Sequence, residues 1–210
     1  HVTSSLPRQK LTDFYGSGAF PINYPNDWDK RQGRNGHGIW LHGTPSNTFS
    51  RPPKASDGCV VLANQDLDAL AKNLQIGTTP VIISSSIEWL SLDDWQAERT
   101  ALSRSIDEWH RDWESLDTEK YLHHYSKRFQ SGSQSLEQWS AQKRQVNSGK
   151  QWIKVGTTNI SMFRNPGKEE MVVVTFDQDY RSSNLNNVMK KRQYWMKEDG
   201  VWKIVYEGGA

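Results

Sequence analysis

Near residue 90 the spacing of apolar residues changes, and the change divides the chain. Downstream, Leu102, Ile106, Trp109, Trp113 and Leu116 recur at steps of three and four, with Asp, Glu and Arg between them. That period lays an apolar stripe along one side of a helix and leaves the other side for water. Upstream, residues 1 to 86 are interrupted by YGSGAFPINYPN, RQGRNGHG and SRPPKASDG. Clusters of Gly, Pro, Asn and Ser between short apolar runs predict a loop-rich β fold.

Within the first part, GIWLHG (38–43) reads as a short buried strand and TTPVIISS (78–85) as another. Between them NQDLDALAKNL sets Leu67, Leu70 and Leu74 at helical spacing, with Asn64 as its expected cap and Gly77 beyond its end. In the second part, Tyr121, Leu122, Tyr125 and Phe129 continue a helical spacing, and residues 136–147 suggest a third, shorter helix. Then QWIKVGTTNISMF, EEMVVVTFDQDY, VMKKRQYWMKE and VWKIVYEG read as strands, the last two joined at EDG as a hairpin. Helices followed by antiparallel strands predict an α+β domain. The expected division is two domains, 1–90 and 91–210, meeting within SSSIEWLSLDD.

Composition narrows the function classes. The 10 Trp, 7 Tyr and 6 Phe supply core material that a disordered chain lacks. Against 24 acidic residues stand 26 basic ones, a net charge of +2, which draws the chain strongly to neither nucleic acid nor a membrane surface. KKR at 190–192 reads as an exposed strand face. No apolar run approaches the roughly 18 residues of a membrane helix. The chain opens at His1 without a signal peptide, which fits a processed product whose targeting segment lies outside it.

The single cysteine, Cys59, excludes an internal disulfide and a paired-cysteine zinc site. It lies in SDGCVVL, seventeen positions after the histidine of WLHG. Beside Val60 and Val61 it reads either as a packed core thiol or as a nucleophile, and His42 either as a structural histidine or as a base. Nucleophilic chemistry needs a base for the thiol and backbone donors for an oxyanion. His42 is the candidate base, and the amides of Gly58 and Cys59 are the candidate donors. Trp40 shares the strand face of His42 and reads as cleft wall or core. Arg51 and Lys54 read as carboxylate ligands or as a solvated loop.

GIWLHGTPSN, then SDGCVVL, a short helix and GTTPVII resemble the catalytic core of the L,D-transpeptidase (YkuD-like) family of bacterial cell-wall enzymes. The match covers residues 38–84, in the order of that family's HG histidine and [ST]HGC loop. The resemblance implies that Cys59 attacks a peptide carbonyl of peptidoglycan stem peptides and forms a thioester. It makes His42 the general base and the Gly43 carbonyl the group that orients the imidazole. It assigns Ser56, Gly58 and the Cys59 amide to the loop that shapes the oxyanion hole, with Ser56 and Asp57 as substrate-binding residues. Asp57 stands where the family usually has His, and Val60 and Val61 where it often has Arg. A carboxylate beside a thiolate disfavours it unless Asp57 points away or pairs with Arg51 or Lys54. The resemblance also implies earlier strands, carrying TPxGxF/Y, that this chain does not include. SDGCVVL followed by a C-terminal α+β domain resembles the cell-shape-determining branch, some of whose members trim stem peptides as L,D-carboxypeptidases.

Residues 92–210 resemble the nuclear-transport-factor-2-like (SnoaL-like) cone, on element order and on FDQDYRSS and YWMKEDGVWKIVYE. This implies a curved antiparallel sheet over helices, with Trp109, Trp113, Tyr125, Trp195 and Trp202 as core or cone lining, and it allows a dimer through this domain. Together the expectations are a mainly β catalytic domain and an α+β cone, acting on stem peptides in the periplasm with no metal or organic cofactor. The alternative is a non-catalytic wall-binding or scaffolding protein that keeps the fold.

Overall fold

The computed structural model describes residues 1–167 and 169–210, which divide into two compact units, His1–Ile82 and Ile83–Ala210. In the first, β1 (Leu6–Pro7), β2 (Gly18–Pro21), β3 (Trp40–His42) and β4 (Val60–Val61) form one sheet in that order. β2 runs antiparallel to β3, pairing Ala19 with His42 and Phe20 with Leu41. β4 lies parallel to β3, pairing Leu41 with Val60 and His42 with Val61. α1 (Asp27–Arg31) is held by a reciprocal Asn26–Asp29 capping box.

Side chains alternate across a strand, so one face of this sheet is apolar and the other carries the chemistry. Phe20 and Leu41 are buried with Val2 and with Leu67 of α2 (Asn64–Ala71), and Val60, Leu70 and Leu74 pack around them. Ala19, Trp40 and His42 take the opposite face.

Two local expectations are corrected here. Residues 78–85 form no strand. The segment is instead tied by isolated bonds, Val2 N to Thr79 O and Gly77 N to Val2 O, and Pro80 has no N–H to give a ladder. α2 starts at Asn64 itself, so its N-cap residue is Ala63, which caps nothing with its side chain. β4 lies between Cys59 and α2.

The second unit begins with α3 (Leu92–Glu114), whose buried residues are Leu102, Ile106, Trp109 and Trp113, the stripe read from the sequence. Ser91 caps its N-terminus. α4 (Thr118–His123) stops early, and Tyr125 and Phe129 lie on a strand, β5 (Tyr125–Ser131), rather than on a helix. A spacing of four returns to the same face in a strand as in a helix, so the pair fits both periods. After β6 (Gln134–Ser135), α5 (Leu136–Ser148) carries a Ser135–Gln138 capping box.

β7 (Ile153–Arg164), β8 (Met171–Ser182), β9 (Leu185–Glu198) and β10 (Val201–Gly209) complete a sheet of order β6-β5-β10-β9-β8-β7. The hairpin at EDG forms, with Asp199 and Gly200 both at positive φ (50° and 80°), the twist that a two-residue connection favours. Val172, Val174, Phe176 and Tyr180 of β8 pack with Trp109, Trp113, Trp195, Trp202 and Ile204 in one core.

Inside that core lies a carboxylate. Ile204 pairs with Trp195, yet Tyr206 pairs with Tyr194, so β10 holds one extra residue there. This bulge shifts the alternation and turns Glu207, only 1% exposed, to the same side as Ile204. Its oxygens accept from Lys191 Nζ (2.7 Å), Gln193 Nε2 (2.8 Å) and Tyr125 OH (3.1 Å). Tyr121 and Tyr125 share a 2.6 Å hydrogen bond, and Trp109 Nε1 donates to Tyr125 OH (3.2 Å). Burial opposes the charge on Glu207, but Lys191, Lys143 and these bonds outweigh it and hold the carboxyl below its ordinary value. Lys191 is thus buried in an ion pair, which corrects the reading of KKR as an exposed face.

Lys143 Nζ sits 4.1 Å from the Trp139 ring centroid. Burial lowers its pKa from 10.5 to about 8; Glu207 opposes the shift and Lys191 adds to it. Between those values the unfolded chain holds a proton that the folded chain has released, so stability rises with pH across this window. We expect Lys143→Met to abolish that rise, read as the pH 8 to 10.5 difference in urea unfolding free energy between the two proteins. Parallel curves for both would disprove it.

Candidate active site around His42 and Cys59

His42 ends β3, is 1% exposed and lies among aromatic rings. The Tyr15 ring is 5.2 Å from it and 5.1 Å from Trp40, and the Phe14 ring is 5.7 Å from it. Trp40 and His42 therefore line one wall together, as their alternation predicts. Tyr15 and Phe14 complete that wall and were not among the residues singled out from the sequence. Their only signal is an aromatic pair directly before GSG, where the chain folds back onto β3.

His42 Nδ1 is 2.7 Å from Gly43 O. A carbonyl oxygen only accepts, so Nδ1 carries the hydrogen and, in the neutral ring, Nε2 keeps its lone pair. Burial lowers the pKa of His42, the Gly43 carbonyl opposes this, and the Arg51 charge lowers it further. At neutral pH the imidazole is a free base with one fixed tautomer, the state a general base requires. Arg51 reaches this neighbourhood by lying 4.7 Å over the Phe14 ring.

The Cys59 turn is built locally. Ser56 Oγ donates to Cys59 O at 2.6 Å, so this hydroxyl closes the SDG turn. Gly58 has φ +119°, a backbone conformation that residues with a side chain rarely adopt, and this favours glycine at the turn. With Val60 beside Leu41 on the core side, alternation puts Cys59 on the side of Trp40 and His42. Cys59 is half-buried, and its Sγ lies 3.5 Å from Gly38 O. No hydrogen bond joins it to His42 among the described residues. Asp57 is exposed and forms no ion pair with Arg51 or Lys54 among the described residues. Lys54, exposed at φ +61°, stands apart from the wall. The structure thus gathers Trp40, His42, Gly43 and Arg51 on one wall, and Ser56, Gly58 and Cys59 in the adjoining turn. Asp57 and Lys54 face solvent.

Asn64, expected as a helix cap, is spent elsewhere. Its Oδ1 accepts from Ser17 N and its Nδ2 donates to Thr44 O, both at 2.9 Å. It bridges the turn after Tyr15 to the turn after His42.

Residues 2–83 match the model of the L,D-transpeptidase catalytic domain, YkuD, and residues 101–208 match that of the Cds6 C-terminal NTF2-like domain. The chain belongs to the YkuD L,D-transpeptidases that carry a Cds6-type C-terminal domain. Bd1075 of Bdellovibrio bacteriovorus is 30% identical and superposes with a TM-score of 0.84 over 100% of this chain and 76% of that one. Pgp2 of Campylobacter jejuni, a helical cell shape determining protein, is 27% identical with a TM-score of 0.76, over 99% of this chain and 72% of its own. No curated protein sequence matches significantly. The L,D-transpeptidase domain contributes the His42 wall and the Cys59 turn, and the NTF2-like domain is the α+β cone. Among the described residues no helix is long and apolar enough to cross a membrane, and no cluster of three or more His, Cys, Asp or Glu side chains is arranged to hold a metal.

The electrostatics around His42 give a direct expectation. His42 should titrate below 6.5, and Arg51→Gln should move its midpoint upward by removing the nearby cation. NMR of the imidazole resonances checks both. A midpoint that stays or falls in the variant would show that Arg51 does not act on this ring.

Proposed function

We propose that this chain is a cysteine enzyme that modifies peptidoglycan stem peptides in the periplasm through a thioester acyl-enzyme. The observation that carries this reading is the 2.7 Å contact of His42 Nδ1 with Gly43 O, which leaves Nε2 free on the face where alternation directs Cys59. His42 Nε2 takes the Cys59 thiol proton, and the thiolate attacks the carbonyl carbon of an L,D peptide bond. The oxyanion that forms meets the backbone amides of the SDGC turn. The C–N bond then breaks, the departing amine takes the proton from His42, and the acyl group stays on sulfur. An amine or a water then attacks the thioester with His42 again as base, which releases the thiol. Trp40 and Tyr15 wall the cleft, and Arg51 is the candidate partner for a stem-peptide carboxylate. Support comes from the family of the domain and from the cell-shape role in the name of Pgp2.

Purified muropeptides incubated with the protein and analysed by mass spectrometry test this. Loss of the terminal D-alanine identifies an L,D-carboxypeptidase, and new cross-links or D-amino-acid exchange identify a transpeptidase. Cys59→Ala should abolish either product, a rate loss of at least about 10³-fold. Products that persist in Cys59→Ala would remove the thioester mechanism.

A second reading, a wall-binding scaffold with a silent site, is favoured by the Cys59 thiol pointing to Gly38 O and by Asp57, which forms no ion pair with Arg51 or Lys54 among the described residues. Labelling by a thiol-reactive carbapenem that disappears in Cys59→Ala would exclude it.

A further inference from the structure

We infer that Asn64 is a positioning residue for the general base: its side chain sets the Gly43 peptide, and through that peptide the tautomer of His42. The inference rests on the catalytic reading above only for its kinetic consequence; its structural content concerns the histidine ring alone.

Asn64 lies at the first turn of α2, where its side chain would ordinarily bond within its own helix. Instead it reaches 47 residues back to Ser17 N and 20 residues back to Thr44 O, both at 2.9 Å. The two bonds use opposite ends of one amide, an acceptor facing an N–H and a donor facing a C=O. That pairing fixes which way the amide is turned and excludes an acceptor-only carboxylate from serving both.

The space around it is equally specific. A Cβ placed on Gly43 would stand 2.1 Å from Asn64 Oδ1, and one placed on Gly16 would stand at the same 2.1 Å. Both turns close against the amide oxygen because neither has a side chain in the way. Between them runs a further bond, Gly43 N to Tyr15 O at 3.1 Å. The Gly43–Thr44 peptide, whose carbonyl faces His42, is therefore flanked on one side by Gly43 N, bonded to the Tyr15 turn, and on the other by Thr44 O, bonded to Asn64, with the amide oxygen of Asn64 closing against Gly43 itself.

The carbonyl of this fixed residue is the acceptor for His42 Nδ1. A tautomer chosen by a hydrogen bond is only as constant as the orientation of its acceptor. If Gly43 O turned away, the hydrogen would distribute between Nδ1 and Nε2, and molecules with Nε2–H could not take a proton from a thiol. Asn64 touches neither thiol nor substrate and acts through two backbone links. The link from Asn64 also anchors Ser17 beside Tyr15, the ring that covers both Trp40 and His42. One side chain thus holds both the orienting carbonyl and the aromatic wall.

The test compares the intact chain with Asn64→Asp, which keeps the shape but opposes Thr44 O with a second acceptor, and with Asn64→Ser, which is too short to reach both turns. Long-range nitrogen–proton NMR of His42 should show a single Nδ1–H tautomer in the parent and a mixture in both variants. The titration midpoint should fall in Asn64→Ser, because the Gly43 bond is the interaction that raises it, whereas the added carboxylate of Asn64→Asp acts in the opposite direction and that variant is read by its tautomer. Muropeptide turnover should lose kcat by about tenfold or more while KM stays within about twofold, the split expected when proton transfer rather than binding is impaired. Thermal melting confirms that each variant is folded, and if Asn64→Asp does not fold, Asn64→Ser carries the comparison. Folded variants that retain the single Nδ1–H tautomer would overturn the inference, as would an unchanged midpoint in Asn64→Ser. A parent without turnover would fail the catalytic reading and leave the NMR outcome to decide the role of Asn64.

Discussion

The chemistry available to the N-terminal unit hangs on one hydrogen bond, from the His42 ring to the carbonyl of the next residue. A buried imidazole has two interchangeable nitrogens, and only one arrangement leaves a lone pair where a thiol can use it. The sheet contributes by burying His42 on the face opposite Leu41, which lowers its proton affinity and keeps it neutral. The Cys59 turn contributes by its own short-range closure, a serine hydroxyl on the cysteine carbonyl and a glycine at positive φ. Each half of the site is thus assembled by separate local rules, and the sheet pairing of β3 with β4 sets them on one side.

The C-terminal unit solves a different problem, holding charges within an aromatic core. Glu207, Lys191, Gln193, Tyr125 and Trp109 satisfy one another almost completely, so burial does not leave a naked carboxylate. Such a network adds little net stability over apolar packing but is costly to break by removing one member. Its geometry is specified by register rather than by the mere presence of opposite charges.

Much of this was legible in the sequence, and the parts that were not share a cause. The α3 stripe from Leu102 to Trp113, the four long strands and the EDG hairpin are written in local period and turn chemistry, and they form as expected. His42, Trp40 and Gly43 come together because alternation along one short strand is also local. The failures came where a distant partner decides. TTPVIISS has the composition of a strand but no ladder. Tyr125 and Phe129 carry a spacing that two periods share. Asn64 looks like a cap until Ser17 and Thr44, far away in sequence, claim its amide. Lys191 looks solvated until Glu207 is found beside it, and Glu207 is misplaced by any strict count of two along β10.

That miscount at Val205 has a consequence for how the cone can vary. Because the bulge absorbs one extra residue, the polar centre of the domain depends on whether β10 bulges at Val205 as much as on the identity of its residues. A lineage that dropped Val205 would pair Tyr206 directly after Ile204 and keep Glu207 inward, whereas one that kept every residue but closed the bulge would turn Glu207 outward and carry Tyr206 in, trading an ionic interior for an aromatic one. Loss or gain of the bulge, rather than substitution at Glu207, is the short route by which such a cone could change what it holds.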